Sequence, residues 1–462
     1  MASENKLRSN RPPGKASRIG RKLLFFVILL AVGAAAIAGL VLFEREKPTV
    51  TVQDGLEYLG RSGDINLSAS DGKSGLRSLV VVLMQDGKEQ ELHRQSFDRR
   101  QWFYGAGPSR TDAAVSYDTA RAKFKDGAAE LVIVARDFSL NGMFKGNETI
   151  TRLPVQIDTT APRIALHHAQ RYIRPGGGGI VVYDLSEPVE VHGAVVNGRL
   201  FKGFPVPELE NRYIAYIALP WDSGKIEESR VIATDRAGNE GQAVFSMIFK
   251  NVPGKSDSIN VSDGFLNAKI PEFELHYPEM TGSQLDKYLY VNNEVRRMNA
   301  ETIADICSRS EPERLWKDRF LRMSGQNMAG YAEQRTYYYA GKEIDRQVHL
   351  GIDIASTTNA EIKAANRGKV VLAEYLGIYG NTVILDHGQG VFSLYSHLSR
   401  IEAGLGEIVD QGAVIAYSGM SGMAGGDHLH FSMLIHGLFV TPIEWWDQHW
   451  IDVNIQDILG QL

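Results

Sequence analysis

The sequence predicts a multidomain, mostly β protein with a single transmembrane helix near its N-terminus. Three observations predict this fold class: one long uncharged apolar run, a β-patterned region that is internally repeated, and a C-terminal region that combines strand patterns with many histidines. A chain of 462 residues exceeds the usual size of one domain, so several domains are expected. In chain order we expect the membrane helix, two β-sandwiches, a helical connector and an antiparallel β domain.

The apolar run covers residues 23–43 and contains no charged side chain. A helix of this length spans about 31 Å, which matches a hydrocarbon core of about 30 Å. Residues 1–22 have a net charge of +6, whereas the whole chain has −5, which leaves −11 for the remainder. The positive-inside rule therefore predicts a cytoplasmic tail at 1–22, a transmembrane helix at 23–43, and all later domains across the membrane. A cleaved signal peptide is the alternative, since Ala36-Ile37-Ala38 resembles a cleavage site, but the run is longer than a usual signal h-region.

Composition excludes several function classes. The only cysteine is Cys307, which excludes a disulfide framework and a zinc site built on several thiolates. A metal site must therefore use His, Asp or Glu. The mildly acidic body lacks the basic footprint that broad nucleic-acid binding needs, so no nucleic-acid partner is expected.

Residues 44–160 and 161–251 read as two copies of one β module. The segment 135–141 (ARDFSLN) matches 233–239 (ATDRAGN), and Pro48-Thr49-Val50 is echoed by Pro162-Arg163-Ile164. A module of about 100 residues with short strands is typical of an immunoglobulin-like sandwich. The Asp and Asn side chains of these motifs are interpreted as turn caps, with calcium binding as the alternative. We expect the modules to act as spacers or as docking surfaces for an envelope protein partner.

Residues 252–325 change to helical periodicity and are expected to form a helical connector. Apolar and bulky residues recur at helical spacing, namely Leu285, Tyr288, Leu289, Val295 and Met298. Trp316, Phe320 and Leu321 are expected to continue an apolar face. The next domain is expected at 326–450, followed by a C-terminal tail at 451–462.

The first chemical motif of that domain is His349-x-Gly351-x-Asp353. In a straight strand, residues four positions apart are separated by about 13 Å, which is the limit for two side chains that bind one ion. The chain must therefore bend between His349 and Asp353, and Gly351 permits a bend.

Two further histidine motifs follow. His428-x-His430 on a strand projects both imidazoles from one face, with Leu429 and Phe431 behind them. His397 lies in the apolar run Leu394-Tyr395-Ser396-His397-Leu398 and alone would be interpreted as a core histidine.

Together and in this order, the three motifs resemble the lysostaphin-type (LytM-like) family of peptidoglycan zinc endopeptidases. The intervening segments match as well: 368–371 and 379–384 resemble two strands of the family, and 386–388 resembles the turn that follows them. Segment 412–425 resembles the family's glycine-rich segment before the His-x-His motif. The resemblance covers about residues 325–447, and implies a LytM-type antiparallel β peptidase domain. Many relatives have a Phe-Gly-x-Arg turn before the first histidine, whereas this chain has 330–335 (GYAEQR) there, so substrate choice is where the resemblance is weakest.

The resemblance implies a Zn²⁺ cofactor bound by His349, Asp353 and His430, with His397 and His428 as catalytic histidines that do not bind the metal. It leaves open how these two divide the roles of general base and oxyanion stabiliser, and whether Asp427 orients an imidazole or caps a turn. The expected activity is a membrane-anchored metalloendopeptidase that hydrolyses peptide bonds of peptidoglycan stems or cross-links, in the periplasm and held at the inner membrane. A non-hydrolytic regulator of cell-wall amidases and an envelope scaffold or adhesion protein are the alternatives.

Overall fold

The computed structural model describes residues 15–53, 55–101, 104–207 and 209–461. The described chain is mostly β with one apolar N-terminal helix, which confirms the predicted fold class. It divides into two compact units. The first comprises Met1–Thr160 with Arg236–Asn239, and the second comprises Ala161–Asp235 with Glu240–Leu462.

Helix α1 (Lys15–Leu42) contains the predicted membrane span. Its segment Gly20–Leu42 is long and apolar enough to cross a membrane by length and composition. The helix begins within the expected basic tail, so residues 15–22 of that tail are helical, while residues 1–14 lie outside the described part of the chain.

The first β module has two sheets that share one core. The three-stranded sheet has the order β1-β3-β6 and the five-stranded sheet has the order β2-β8-β7-β4-β5. Ile65 and Val115 from one sheet pack with Leu79 and Ile133 from the other. The elements are β1 (Thr49–Val52), β2 (Tyr58–Leu59), β3 (Ser62–Ser70), β4 (Leu76–Gln85), β5 (Lys88–Ser96), β6 (Arg110–Asp118), β7 (Gly127–Asp137), the short α2 (Asn141–Phe144) and β8 (Glu148–Ile157).

The second β module repeats the two-sheet plan. Its sheets have the orders β14-β15-β11-β9 and β13-β12-β16-β17, and β10 pairs with β18. Asn197 and Gly198 both have positive φ, as a two-residue hairpin turn between β12 and β13 requires. The strands are β9 (Ile164–Ala169), β10 (Tyr172–Ile173), β11 (Gly178–Leu185), β12 (Val191–Val196), β13 (Arg199–Lys202), β14 (Phe204–Pro205), β15 (Arg212–Ala218), β16 (Ser229–Thr234), β17 (Glu240–Val244) and β18 (Ile248–Phe249).

The connector is only partly helical. It opens with β19 (Lys255–Asn260), which pairs in parallel with a strand of the next domain, and then forms α3 (Asp263–His276), α4 (Gln284–Tyr290), a π-helical turn (Val291–Val295) and α5 (Arg296–Ile306). The expected helical face at Trp316, Phe320 and Leu321 is wrong. This segment is irregular rather than helical, because its backbone N–H groups bond to the C-terminal domain, for example Phe320 N–H to the carbonyl of Trp445 at 2.8 Å.

The C-terminal domain is built on a ten-stranded, largely antiparallel sheet with the central order β20-β23-β30-β27-β26-β25-β28. Its strand β27 is buried along eight consecutive residues, as expected for a strand covered on both faces. The strands are β20 (Gln326–Ala329), β21 (Glu333–Tyr339), β22 (Lys342–His349), β23 (Ile352–Ala355), β24 (Glu361–Lys363), β25 (Gly368–Tyr375), β26 (Asn381–Asp386), β27 (Val391–Ile401), β28 (Ile408–Val409), β29 (Val414–Ser418), β30 (Leu429–Ile435) and β31 (Leu438–Val440).

The segment expected as a tail at 451–462 belongs to the core instead. Helices α6 (Pro442–Trp446), α7 (Gln448–Ile451) and α8 (Asp457–Leu459), with a π-helical turn between the last two, end the described chain. Ile451 and Ile455 are fully buried, because they complete an apolar cluster.

The second β module and the C-terminal domain share this apolar cluster, so the module is not a loosely tethered spacer. Trp316 packs on Tyr216 of β15 and on Trp445 of α6, with ring centroids 6.3 and 5.5 Å apart. The buried Glu444 accepts hydrogen bonds from Arg174 Nε and from Gly178 N–H, both at 2.9 Å.

Candidate functional site

A cleft of about 1110 Å³ in the second unit collects all five residues that the sequence singled out. His349 ends β22, Asp353 lies in β23, His397 lies in β27, and His430 lies in β30, with His428 just before that strand. Connector residues such as Tyr288 and Arg296 line the same cleft.

Three donor atoms converge at the centre of the cleft. His349 Nε2, His430 Nδ1 and Asp353 Oδ1 lie 2.9 Å from one another in each pair. Strand register explains part of this, because Asp353 and His430 are direct partners in the β23–β30 ladder. All three side chains are buried.

Gly351 is needed for space rather than for an unusual backbone angle. A Cβ atom there would lie 2.5 Å from both Cε1 and Nε2 of His430 and 2.6 Å from Ser432 Oγ. The imidazole of His430 therefore occupies the room that a side chain at position 351 would fill.

We refer to His349, Asp353 and His430 as the trio. Hydrogen bonds fix the tautomers of its two histidines. Nδ1–H of His349 donates to the carbonyl of Gly330 at 2.8 Å, which leaves Nε2 as the lone-pair atom. Nε2–H of His430 donates to Ser432 Oγ at 3.0 Å, and that hydroxyl donates to the carbonyl of Leu350 at 2.9 Å. Both lone pairs then point to the same place, as metal ligation requires.

Charge states in the trio also suit a metal. Burial opposes ionisation of Asp353, but His349 and His430 outweigh it and hold the pKa of Asp353 well below its usual range. Burial lowers the pKa of His430 to about 4, so this imidazole is neutral at pH 7. An ionised carboxylate with a neutral imidazole is the form in which these groups bind metal.

Arg335 completes the rim of the trio. Its Nη2 lies 3.2 Å from Asp353 Oδ2, the oxygen that the histidines do not contact, and 3.7 Å from Glu333. The sequence had marked Arg335 only as part of a divergent segment. Its bond to Asp353 depends on the antiparallel pairing of β21 with β22, which sequence spacing did not reveal.

His397 lies opposite the trio in a strained backbone. Its φ is +62°, in the left-handed region that few non-glycine residues adopt, where the register of β27 shifts against its neighbours. Nδ1–H donates to the carbonyl of Ser421 at 2.9 Å, so Nε2 is the free atom. Burial, together with His428 and His430, holds the pKa of His397 well below its usual range.

His428 faces the same space. Its Nδ1–H donates to the carbonyl of Gly426 at 2.8 Å, which again leaves Nε2 free. That atom lies 3.7 Å from Asp353 Oδ1, and the ring centroid lies 4.8 Å from that of His397. Leu429 and Phe431 are buried behind the pair, as the alternation of the strand predicts.

The connector holds the glycine-rich loop that carries the carbonyl of Ser421. Gly422 N–H donates to Glu272 Oε1 of α3 at 2.6 Å, and Lys269 Nζ donates to the carbonyl of Met420. Helix α3 thus supports the loop that orients His397.

Two further polar residues lie near the site, and the sequence left the role of one of them, Asp427, open. Asp427 accepts hydrogen bonds from Ser418 Oγ at 2.5 Å and from Asn359 N–H at 3.0 Å. Neither donor is an imidazole, so these bonds support the role of a turn cap. From the sequence, Tyr379 was assigned only to the segment 379–384, which matches a strand of the family. Its ring centroid lies 5.7 Å from that of His430, and burial raises the pKa of Tyr379 to about 12.

Residues 347–442 match the description "Peptidase family M23". This region is an M23 peptidase domain. The resemblance to lysostaphin-type enzymes is thereby confirmed for this part of the chain.

Curated relatives match over the M23 domain. The chain is 36% identical over 97 residues to the DD-carboxypeptidase/endopeptidase Mpg of Neisseria meningitidis, which covers 21% of this chain and 22% of Mpg. It is 36% identical over 111 residues to the murein hydrolase activator EnvC of Escherichia coli, covering 24% of this chain and 26% of EnvC. The peptidoglycan DD-endopeptidase ShyB of Vibrio cholerae is 29% identical over 110 residues, covering 24% of this chain and 25% of ShyB. The chain thus spans about a quarter or less of the length of these relatives.

Solved structures with detectable similarity include an M23 peptidase from Pseudomonas aeruginosa, at 24% identity and a TM-score of 0.36, covering 58% of this chain and 92% of that one. The catalytic domain of lysostaphin from Staphylococcus simulans is 26% identical, with a TM-score of 0.22, covering 26% of this chain and 90% of that one.

Proposed function

We propose that this protein is a membrane-anchored zinc metalloendopeptidase that hydrolyses peptide bonds of peptidoglycan stems or cross-links. One observation carries the proposal: the donor atoms of His349, Asp353 and His430 converge within an M23 domain, with His397 and His428 facing them across the cleft.

The trio fits a catalytic zinc ion. Two imidazole nitrogens and one carboxylate oxygen form the ligand set of known catalytic zinc sites, and three protein ligands leave a position for water or substrate. Ligand atoms of a tetrahedral zinc ion lie about 3.4 Å from one another, so the 2.9 Å spacing here needs only a small expansion. When bound, zinc would polarise the scissile carbonyl and acidify a water molecule.

His397 and His428 are proposed as the catalytic groups. Each has Nδ1 bound to a backbone carbonyl and Nε2 free on the cleft side. A free Nε2 can take a proton from the attacking water or, once protonated, donate to the oxygen of the tetrahedral intermediate. The strained backbone of His397 is consistent with a geometry that is kept for function.

Substrate and location follow from the relatives and the N-terminal helix. ShyB is named as a peptidoglycan DD-endopeptidase and Mpg as a DD-carboxypeptidase/endopeptidase, which supports a peptide of the cell wall as substrate. Helix α1 is proposed as an uncleaved single-pass anchor in the inner membrane, with the basic N-terminus in the cytoplasm and the M23 domain in the periplasm. The first β module, proposed as immunoglobulin-like, offers a surface for an envelope protein partner.

The second candidate function is a hydrolase activator, since EnvC carries that description and is 36% identical over the matched region. All five site residues are present and converge here, which favours hydrolysis. An envelope scaffold is the third alternative. The three functions differ in one property, because an activator or a scaffold should not cleave purified peptidoglycan even when it is loaded with metal.

The test uses the full chain in detergent, incubated with purified sacculi with and without a chelator, and identifies released muropeptides by mass spectrometry. We expect chelator-sensitive release of products cut at a peptide bond. His430→Ala should lose the zinc, measured by elemental analysis, and also the activity. His397→Ala should keep the zinc and lose at least about a hundredfold in rate.

Zinc-loaded protein that releases no product would refute the enzyme proposal and favour an activator. If His397→Ala and His430→Ala lost zinc equally, the division between ligands and catalytic histidines would be wrong.

A further inference from the structure

A second group of acidic side chains lies in the first β module, beside the end of the membrane helix. Glu44 lies two residues after the end of α1, Asp71 lies in the turn between β3 and β4, and Asp137 ends β7. The three residues are 7%, 3% and 0% exposed, and each offers an oxygen within 4.8 Å of those of the other two.

The negative charge of this group is not paired with a cation among the residues that the structure describes. Lys73 pairs with the exposed Glu46 at 2.9 Å, and in the described part of the chain no lysine or arginine forms an ion pair with Glu44, Asp71 or Asp137.

Asp71 adds an independent observation. Its Oδ1 accepts hydrogen bonds from Gly75 N–H at 2.6 Å and from Lys73 N–H at 3.2 Å within its own turn. Its Oδ2 is buried and has no hydrogen-bond partner. A buried carboxylate oxygen without a donor costs free energy unless a ligand satisfies it.

Donors reach the other carboxylate oxygens of this group, so Asp71 Oδ2 is the one that lacks a partner among the described residues. Asn147 Nδ2 lies 2.7 Å from Asp137 Oδ2, 3.0 Å from Glu44 Oε1, and 3.1 Å from each of the carbonyl oxygens of Glu44 and Glu46. An amide nitrogen has two hydrogens, so it satisfies two of these four acceptors. Ser74 Oγ donates to Glu44 Oε1 at 3.1 Å and Ser139 Oγ donates to the carbonyl of Glu44 at 2.8 Å, which serves the other two.

We propose that Glu44, Asp71 and Asp137 bind a calcium ion at the junction of the membrane helix and the first β module. The donor set consists of carboxylate oxygens without histidine or cysteine, which suits a hard cation rather than zinc. Calcium is assigned over magnesium because it accepts irregular coordination by several carboxylates, whereas magnesium demands near-octahedral geometry and retains much of its water.

The location gives the ion a mechanical role. Leu140 N–H donates to the carbonyl of Leu42 at 2.7 Å, and Ser139 Oγ donates to that of Glu44 at 2.8 Å, so the chain that leaves α1 already contacts the end of β7. An ion held by Glu44, Asp71 and Asp137 would cross-link these two segments and add the turn between β3 and β4. Calcium would therefore stiffen the joint between the anchor and the first module.

The test measures Ca²⁺ binding to the full chain in detergent by isothermal titration calorimetry, after treatment with a chelator and its removal. Asp71→Asn keeps an acceptor for Lys73 and Gly75 but removes the charge, and Glu44→Gln and Asp137→Asn remove the other two charges. We expect each variant to lose one equivalent of bound Ca²⁺ or to bind it at least tenfold more weakly. Asp112→Asn, an exposed acid of the same module that pairs with Arg110, should bind like the parent.

Calcium should also raise the unfolding temperature of the parent and not that of the variants. The absence of binding at millimolar Ca²⁺ would overturn the proposal, and so would equal binding by the parent, Glu44→Gln and Asp137→Asn. Displacement of Ca²⁺ by equimolar Mg²⁺ would overturn the assignment to calcium.

Discussion

His397 Nδ1 lies 2.9 Å from the carbonyl oxygen of Ser421, so the orientation of this imidazole depends on a loop that helix α3 supports from outside the M23 domain. The connector is therefore part of the structure that positions the site.

Glu272→Ala should lower kcat about tenfold and leave zinc content unchanged, because the loss of the bond to Gly422 N–H lets the loop and His397 shift. Glu272→Gln retains an acceptor and should recover most of the rate. Glu274→Gln, on the same helix but paired with Lys287, is the matched control. Zinc loss in Glu272→Ala would mean that α3 supports the metal site rather than His397. Steady-state kinetics on a purified muropeptide and elemental analysis provide the readouts.

Gly351→Ala should abolish stable zinc binding, since its methyl group would lie 2.5 Å from the ring of His430 and must displace it. We expect zinc affinity to fall at least about a hundredfold in a competition assay with a chromophoric chelator. Gly404→Ala has no neighbour closer than 3.7 Å and should bind zinc like the parent. Unchanged affinity in Gly351→Ala would show that the His430 ring can move without cost.

Glu444→Ala should destabilise the second unit by about 2 kcal/mol, because it leaves Arg174 and Gly178 N–H without their buried acceptor. Urea unfolding followed by tryptophan fluorescence measures this effect. Glu227→Ala removes an exposed ion pair with Lys225 in the second β module, which also contains Arg174 and Gly178. This substitution should change the free energy of unfolding by less than about 0.5 kcal/mol. Equal small effects would mean that the second module contributes little to the stability of the M23 domain.

The second unit should lose stability in acid through buried His387. Burial lowers the pKa of His387 to about 4, below the value of about 6.5 in an unfolded chain. As the pH falls, the unfolded state therefore takes up a proton before the folded state does. The contribution of neutral His387 to the free energy of unfolding is complete above pH 6.5 and is lost as the pH falls from 6.5 to 4. It amounts to about 3 kcal/mol at most.

His387→Gln should accordingly flatten the dependence of the urea midpoint on pH between 6.5 and 4, measured with a chelator so that zinc release does not contribute. Exposed His449→Gln should leave that dependence unchanged. A slope that is identical in the parent and in His387→Gln would show that other buried groups dominate.

Much of the fold and of the candidate site was accessible from the sequence. The uncharged run at 23–43 predicts a helix because only a helix satisfies its backbone in an apolar medium. The spacing of His428 and His430 predicts two imidazoles on one face because side chains alternate along a strand. The order of three short motifs indicated the peptidase family, and the family match covers the same region.

Other features depend on contacts between residues that are distant in the chain. The contact of Arg335 with Asp353 requires the register of β21 and β22, and the support of His397 by Glu272 requires α3 to dock on a loop 150 residues away. The irregular course at Trp316 and the burial of Ile455 follow from apolar surface supplied by other elements.

The sequence by itself thus determined the apolar N-terminal helix, the β character and the five residues of the candidate site, since each depends on local periodicity or on a short motif. Only the tertiary structure decided which imidazole nitrogen is free, why position 351 must be glycine, and which acids of the first module are buried together. These properties arise where separate strands and loops meet, and local spacing carries no information about which segments will become neighbours.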